Sequence, residues 1–223
     1  MSGSQLIKQY NHNELTDSDF EELASLSRAA FAEHLKQDIN FRDTTITGAE
    51  IKRDILRTGD TVFAYYLEGK MAGYARRIKI ARESHVYVKC NGMATMPECR
   101  GLHIGRQLTE ATLAWAKGQG AEYMLLDTST RAKRIVAYHH DHGYKDWYYG
   151  HWPEKNYISV FMRRDLGKPY PAIMRIARLM ASWCAIHNQY TYYGQERTIY
   201  KFWKTLRLKL RIRSRLKNIA GKF

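Results

Sequence analysis

The chain has 223 residues, 44% hydrophobic and 13% aromatic with only four prolines, which excludes a disordered protein and allows one well-buried domain plus an appendage. Its formal net charge of +14 is not spread evenly: ten basic and no acidic residues follow Glu196, leaving residues 1–196 with only +4. Three scattered cysteines without a CxxC pair exclude a disulfide framework and give no sign of zinc. With no apolar run at Met1–Tyr10 and nowhere 18 apolar residues together, a cytoplasmic chain without a signal peptide or membrane span is expected.

Leu6–Tyr10 reads as a first strand. Asp17-Ser18-Asp19 offers N-cap candidates for a helix through His34, with Phe20, Leu23, Leu26, Ala30 and Phe31 at helical spacing. Thr47–Arg57 is a second short helix with Ile51, Ile55 and Leu56 as its stripe. Thr61–Leu67 and Met71–Ile80 alternate like strands around a three-residue loop, Glu68-Gly69-Lys70. A third strand of this set runs from His85 to about Met96, and Asn91-Gly92 within it predicts a β-bulge. A helix from Gly105 to about Gln119 follows, with Leu108, Leu113, Ala114 and Ala116 for burial. Ala121–Asp127 is a short apolar strand, Arg131–His142 a helix, and Tyr144–Tyr149 with Tyr157–Met162 a closing antiparallel pair. The crossover helix between the third strand of the set and the apolar strand forces those two to be parallel.

The stretch Arg100-Gly101-Leu102-His103-Ile104-Gly105 opens a helix three residues after Pro97. Permissive backbones ahead of a helix start can aim several free N–H groups at one anion, and Arg100 adds a charge able to reach a phosphate. Four segments resemble the GNAT superfamily of N-acetyltransferases. They are Thr95–Gly105, Leu125-Leu126-Asp127-Thr128-Ser129, Ile135–His139 with Gly143-Tyr144, and Tyr157–Met162, and the resemblance covers roughly Leu6–Asp165.

That resemblance implies an α/β (α+β) fold, a mixed, mostly antiparallel sheet with helices on both faces, splayed between its fourth and fifth strands. It implies residues 1–165 as an acyl-CoA N-acyltransferase domain and 166–223 as a basic C-terminal extension. Acetyl-CoA is the expected co-substrate, with no metal. Its pantetheine arm would pair with the backbone of Met93, Ala94 and Thr95, and its pyrophosphate would sit on amides of Arg100, Gly101, Leu102, His103, Ile104, Gly105 and Arg106. The acetyl group would pass to a primary amine, of a small molecule or a protein, by direct attack in a ternary complex. Where the family commonly has glycine this chain has His103. A side chain is tolerable there if φ stays negative, and it either contacts phosphate or points outward and caps the turn.

Transfer to an amine needs a base for the ammonium and an acid for the thiolate. Many members of the family use a tyrosine four residues before the helix-ending glycine as the acid; here that position is His139, with Tyr138 beside it. Either could serve, or solvent protonates the thiolate. Base candidates are Asp127, Glu98 and His85, with an N-cap as the alternative for Asp127. Cys99 beside Arg100 could have a lowered pKa. Tyr148, Tyr149, His151 and Trp152 either shape the acceptor pocket or pack as an aromatic edge.

In the C-terminal segment, Ile173, Ile176, Met180 and Trp183 share a helical stripe expected to pack on the domain or on a second subunit. Beyond Tyr200, Phe202, Trp203, Leu206, Leu210, Leu216 and Ile219 sit among the basic residues, a pattern suited to an anionic membrane surface and, less well, to nucleic acid. That reading allows a peripheral place at the inner face of a membrane, an acyltransferase acting on a longer chain or on a membrane-associated sugar or lipid precursor, or a non-catalytic module that keeps the CoA fold.

Overall fold

Among the described residues the chain forms seven strands: β1 (Gln5–Tyr10), β2 (Thr61–Leu67), β3 (Lys70–Arg82), β4 (His85–Thr95), β5 (Tyr123–Ser129), β6 (Lys145–His151) and β7 (Ile158–Asp165). Among the same described residues five α-helices accompany them: α1 (Asp17–Leu35), α2 (Gly48–Thr58), α3 (Ile104–Gly118), α4 (Lys133–Asp141) and α5 (Ala172–Thr191). The computed structural model describes residues 5–82, 85–152, 154–167 and 169–191. The basic run beyond Tyr200 lies outside the described residues, as does any structure expected of it.

The strands make one sheet in the order β1-β2-β3-β4-β5-β7-β6. Every neighbouring pair is antiparallel except β4 and β5, as the crossover through α3 requires. Helices cover both faces. Phe20, Leu23 and Leu26 of α1 and Ile51 and Ile55 of α2 pack with Val62, Ala64 and Tyr74, while Ile104 and Leu108 of α3 pack on Phe63, Tyr65 and Ala75. Alternate residues of β2 thus serve opposite cores, so most of that strand is buried.

Several boundaries differ from the sequence reading for local reasons. The N-cap of α1 is Thr16, whose side chain accepts from the Asp19 amide while the Asp19 carboxylate accepts from the Thr16 amide. The β2–β3 loop has two residues, not three: Leu67 pairs with Lys70, and Glu68 (φ 52°) and Gly69 (φ 81°) both turn left-handed, as a tight hairpin with the twist of its strands requires. In α3, Ala114 is exposed and Leu113 half-buried, whereas Thr109 and Thr112 are buried with their hydroxyls bonded to Tyr138 Oη (2.8 Å) and the Thr109 carbonyl (3.1 Å).

The α5 stripe, expected to pack on the domain or on a second subunit, is largely uncovered in the single chain, although Trp183 meets Tyr149 of β6 at 5.0 Å. Ile173, Met174, Ile176, Met180 and Trp183 are exposed. The polar side of the helix meets β6: Arg178 lies over Trp147 (4.3 Å) and Tyr148 (4.8 Å), and Ser182 Oγ accepts from the Tyr149 amide (2.9 Å). Ile186, one turn beyond Ser182, is buried as well.

Candidate active site

The site begins with one extra residue in β4. Arg76 pairs with Gly92 and Arg77 with Cys90, so Asn91 bulges where the sequence placed a bulge. Its side chain donates to Asp60 Oδ1 (2.8 Å), which also accepts from Thr58 Oγ1 (2.7 Å). Asp60 Oδ2 takes Arg76 through Nε and Nη2, both at 2.9 Å. On the other side of the bulge Arg77 Nη1 donates to the Gly92 carbonyl (3.1 Å).

Beyond the bulge the sheet opens. β4 and β5 pair only at Tyr87↔Tyr123, Val88↔Met124 and Lys89↔Leu125. From Cys90 onward β4 keeps its partner on β3 and loses the one on β5. The Met96 amide donates to the Ala72 carbonyl at 2.9 Å. Antiparallel alternation then turns the N–H and C=O of Ala94 toward β3 and those of Met93 and Thr95 into the opening. Of the three residues expected to offer backbone groups there, the register selects two.

The opening ends in a 3-10 turn, Pro97–Cys99, and the loop before α3. Within that loop the Arg100 and Leu102 amides are taken by the carbonyls of Pro97 and Cys99. Among the described residues, the amides of Gly101, His103, Ile104, Gly105 and Arg106 donate to no backbone carbonyl. Gly101 has φ 90° and His103, the N-cap of α3, has φ 58°. The condition that φ stay negative at His103 is therefore not met: the reversal into α3 places it in the left-handed region, and its exposed ring makes no cap bond. The Arg100 guanidinium is engaged with α1, at Glu33 Oε2 and the Ala30 carbonyl (both 3.0 Å), and Arg106 pairs with Glu110 (2.8 Å). The Leu102 side chain is exposed and that of Ile104 is buried in the core.

A cavity of about 480 Å³ follows the opening, and Met93, Ala94, Thr95, Arg100, Gly105, Asp127, Tyr138 and His139 all line it. The neighbours on α4, Tyr138 and His139, both reach it. The Tyr138 hydroxyl is tied to Thr109 and lies 3.3 Å from where a Cβ on Gly105 would stand. Burial, then the charge of Arg77, holds the His139 imidazole down to about 3, so its ring is neutral at pH 7. Burial keeps the Tyr138 phenol above its ordinary value and protonated.

Asp127 is no N-cap: α4 begins after Ala132, and Asp127 Oδ2 accepts from the Trp152 indole (3.3 Å) at the cavity wall. The other candidates fall elsewhere. Glu98 is exposed and off the cavity, and His85 pairs with Glu122 (3.0 Å) at the far end of β4. The Cys99 thiol is raised, not lowered, by burial and then by Glu98. In the aromatic cluster Tyr148 stacks on Phe161 (4.1 Å), Tyr149 packs on Trp183 and His151 meets the Lys155 carbonyl, while Trp152 reaches the cavity wall through Asp127.

Two cavity residues were not found in the sequence. Asp43, in the 3-10 turn Arg42–Thr44, faces the cavity with a carboxyl raised by burial against the opposing charge of Arg76. Nothing periodic marks that turn. Arg77 lines the cavity from β3, and a pair of arginines inside an otherwise buried strand is the signal that could have exposed it. Phe31, Phe41 and Tyr157 close this end of the cavity. A reciprocal amide clasp fixes the surrounding loops, with the Asn40 amide donating to Asn156 Oδ1 (3.2 Å) and the Asn156 amide to Asn40 Oδ1 (3.0 Å). Among the described residues no group of three or more metal-ligating side chains occurs.

The same fold occurs in solved structures. An acetyltransferase of the GNAT family from Streptococcus pneumoniae superposes with a TM-score of 0.55 at 20% identity, covering 74% of this chain and 100% of its own. YncA, a putative acetyltransferase from Salmonella typhimurium solved with acetyl-CoA, gives 0.56 at 16% identity over 75% and 97% of the two chains. The PaiA N-acetyltransferase from Thermoplasma acidophilum, in complex with coenzyme A, gives 0.56 at 14% over 73% and 99%. No curated protein matches the sequence. The family model described as acetyltransferase (GNAT) matches residues 20–144, more than half of the 223. The chain belongs to the acetyltransferase (GNAT) family.

Proposed function

We propose that this protein transfers an acetyl group from acetyl-CoA to an amine within a ternary complex. One observation carries the reading: the opened edge of β4, with Met93 and Thr95 turned outward, runs directly into the loop whose spare amides precede α3. An extended amide-bearing arm would add to that edge as a strand does, and a pyrophosphate would meet the amides of Gly101 and His103 through Arg106. The residues fit such a group, since Gly105 leaves room beside Tyr138 that a Cβ would take and Gly101 meets nothing within 4 Å. Bound acetyl-CoA would supply the acyl group as a thioester; the amine forms the new C–N bond while sulfur leaves with the C–S pair.

The chain's own groups divide the proton work. A neutral His139 has no imidazolium proton to give, so Tyr138, protonated and oriented by Thr109, is the proposed acid. Asp43, whose burial makes it a stronger base than an ordinary carboxylate, and Asp127 would receive the acceptor's ammonium. Calorimetry with acetyl-CoA, followed by a free-thiol assay across amine acceptors, tests this reading; absence of binding overturns it. Asp43→Asn should lower kcat/KM for the amine and leave the acetyl-CoA Kd unchanged.

The α5 surface supports a second feature, docking on an anionic membrane. Its apolar stripe faces outward, Ile173 being 73% exposed, and ten basic residues follow later in the chain. Insertion of the stripe plus attraction of the charges uses both features, whereas a second copy would bring two +14 chains together and nucleic acid has no use for the stripe. Among the described residues no helix is long and apolar enough to cross a membrane. The full chain should sediment with phosphatidylglycerol vesicles and not with phosphatidylcholine ones, and Ile176→Asp with Met180→Asp should weaken that. Equal binding to both vesicles, or none, removes the anionic surface from the reading.

A further inference from the structure

We propose that Arg77 is the floor of the thioester site and holds the departing sulfur as a thiolate, an inference that rests on the CoA-dependent reading above. Arg77 lies on β3 at the register shift, is only 3% exposed and lines the cavity. Its Nη1 donates to the carbonyls of Arg76 (2.8 Å) and Gly92 (3.1 Å), and its Nη2 approaches Met93 Sδ at 3.9 Å. Its Nε is buried with no hydrogen-bond partner, and among the described residues no carboxylate pairs with this guanidinium.

A buried cation with an idle donor is unfavourable until an anion reaches it. Arg76, one residue away, shows what an architectural arginine looks like in this strand: Asp60 neutralises it. Two carbonyl bonds would explain Arg77 as a prop for the bulge, but not its uncompensated charge or the vacant Nε.

The groups that face Arg77 give it no counter-charge. Tyr138 and His139 from α4 and Tyr144 ahead of β6 are neutral at pH 7, and from α3 the Thr109 hydroxyl approaches the Met93 sulfur that Arg77 touches. Glu33, Asp43, Asp127 and Lys89 line the same cavity, and none of these carboxylates forms an ion pair with Arg77. Met93, whose backbone faces the opening, touches Arg77 through its sulfur, so a thioester arm paired to that backbone would pass beside the guanidinium. In the transfer the C–N bond forms, the C–S bond breaks and the electron pair stays on sulfur, which Arg77 holds as a thiolate until Tyr138 gives it a proton. The ammonium proton goes to a carboxylate, and Arg77 exchanges no proton. Sulfur is the atom that gains negative charge at this end, and a weakly hydrated guanidinium suits it.

The thiolate absorbs in the ultraviolet, so the test is a pH titration of CoA bound to the full chain, with desulfo-CoA as the binding control. The thiol of bound CoA should ionise about 1–3 pH units below that of free CoA, the shift an adjacent opposite charge produces. Arg77→Met should abolish the shift and leave desulfo-CoA affinity within about twofold, while Arg77→Lys should keep most of it. Bound CoA that titrates like free CoA in the unaltered protein overturns the proposal without reference to any variant. Retention of the full shift in folded Arg77→Met does so as well. If neither CoA nor desulfo-CoA binds, the functional reading fails first and the role of Arg77 falls with it.

Discussion

Two arginines adjacent in β3 enter opposite faces of the sheet at the same bulge, and only one of them meets a carboxylate. On the α1–α2 face, Asp60 receives Arg76, Asn91 and Thr58, so its polar network is closed. On the α3–α4 face, Arg77 has two carbonyls, a thioether and an idle Nε at the wall of the cavity. Buried polar groups in folded proteins are ordinarily satisfied, so the closed side reads as architecture and the open side as a place kept for a ligand.

The largest effect should come from breaking the closed side. Asp60→Ala takes from Arg76 the carboxylate it is bonded to and frees Asn91, and should cost about 3–5 kcal/mol in chemical unfolding. Arg77→Met, which replaces an unpaired charge by an apolar chain, should cost far less. Equal losses would erase the distinction between the two faces.

Acid should probe the open side next. The His139 pKa is about 3 in the fold against ~6.5 unfolded. Between those values the unfolded chain binds a proton that the native one does not, so stability falls as pH drops below ~6.5, by up to about 1.4 kcal/mol per unit. His139→Gln should flatten that slope, and Arg77→Met should reduce it. Urea midpoints at pH 5 and pH 7 decide the matter.

Smaller effects concern the loop at the end of the opening. Gly105→Val pushes on the Tyr138 hydroxyl and should raise the acetyl-CoA Kd roughly tenfold, about 1.4 kcal/mol, by calorimetry. His103→Gly releases a left-handed side chain and should stabilise the fold by about 0.5–1 kcal/mol, a modest rise in Tm, less what glycine adds to the unfolded chain's freedom.

Much of this was legible in the residues alone. The order of elements, the parallel β4–β5 step, the bulge at Asn91 and the amide-rich loop follow from patterns spanning a few residues. Tyr138 and His139 are adjacent in the sequence, but only the fold puts His139 where burial and Arg77 lower its pKa through space. Asp43 had no local signal, since its turn reaches the cavity only after α1 crosses the sheet. The α5 stripe was legible as a face, but helical spacing does not report what covers it; Trp147 and Tyr148 take Arg178 on another side of the helix.

By itself, then, the sequence determined which segments become strands and helices, where the chain turns, and that a loop before α3 carries spare amides. These depend on neighbours within one turn or one pleat. The tertiary structure alone decided that Met93 and Thr95 face the opening, that Asp43 shares a cavity with Asp127, and that Arg77 is left uncompensated while Arg76 is not. Register, burial and charge compensation depend on partners tens of residues away, and local periodicity carries no record of them.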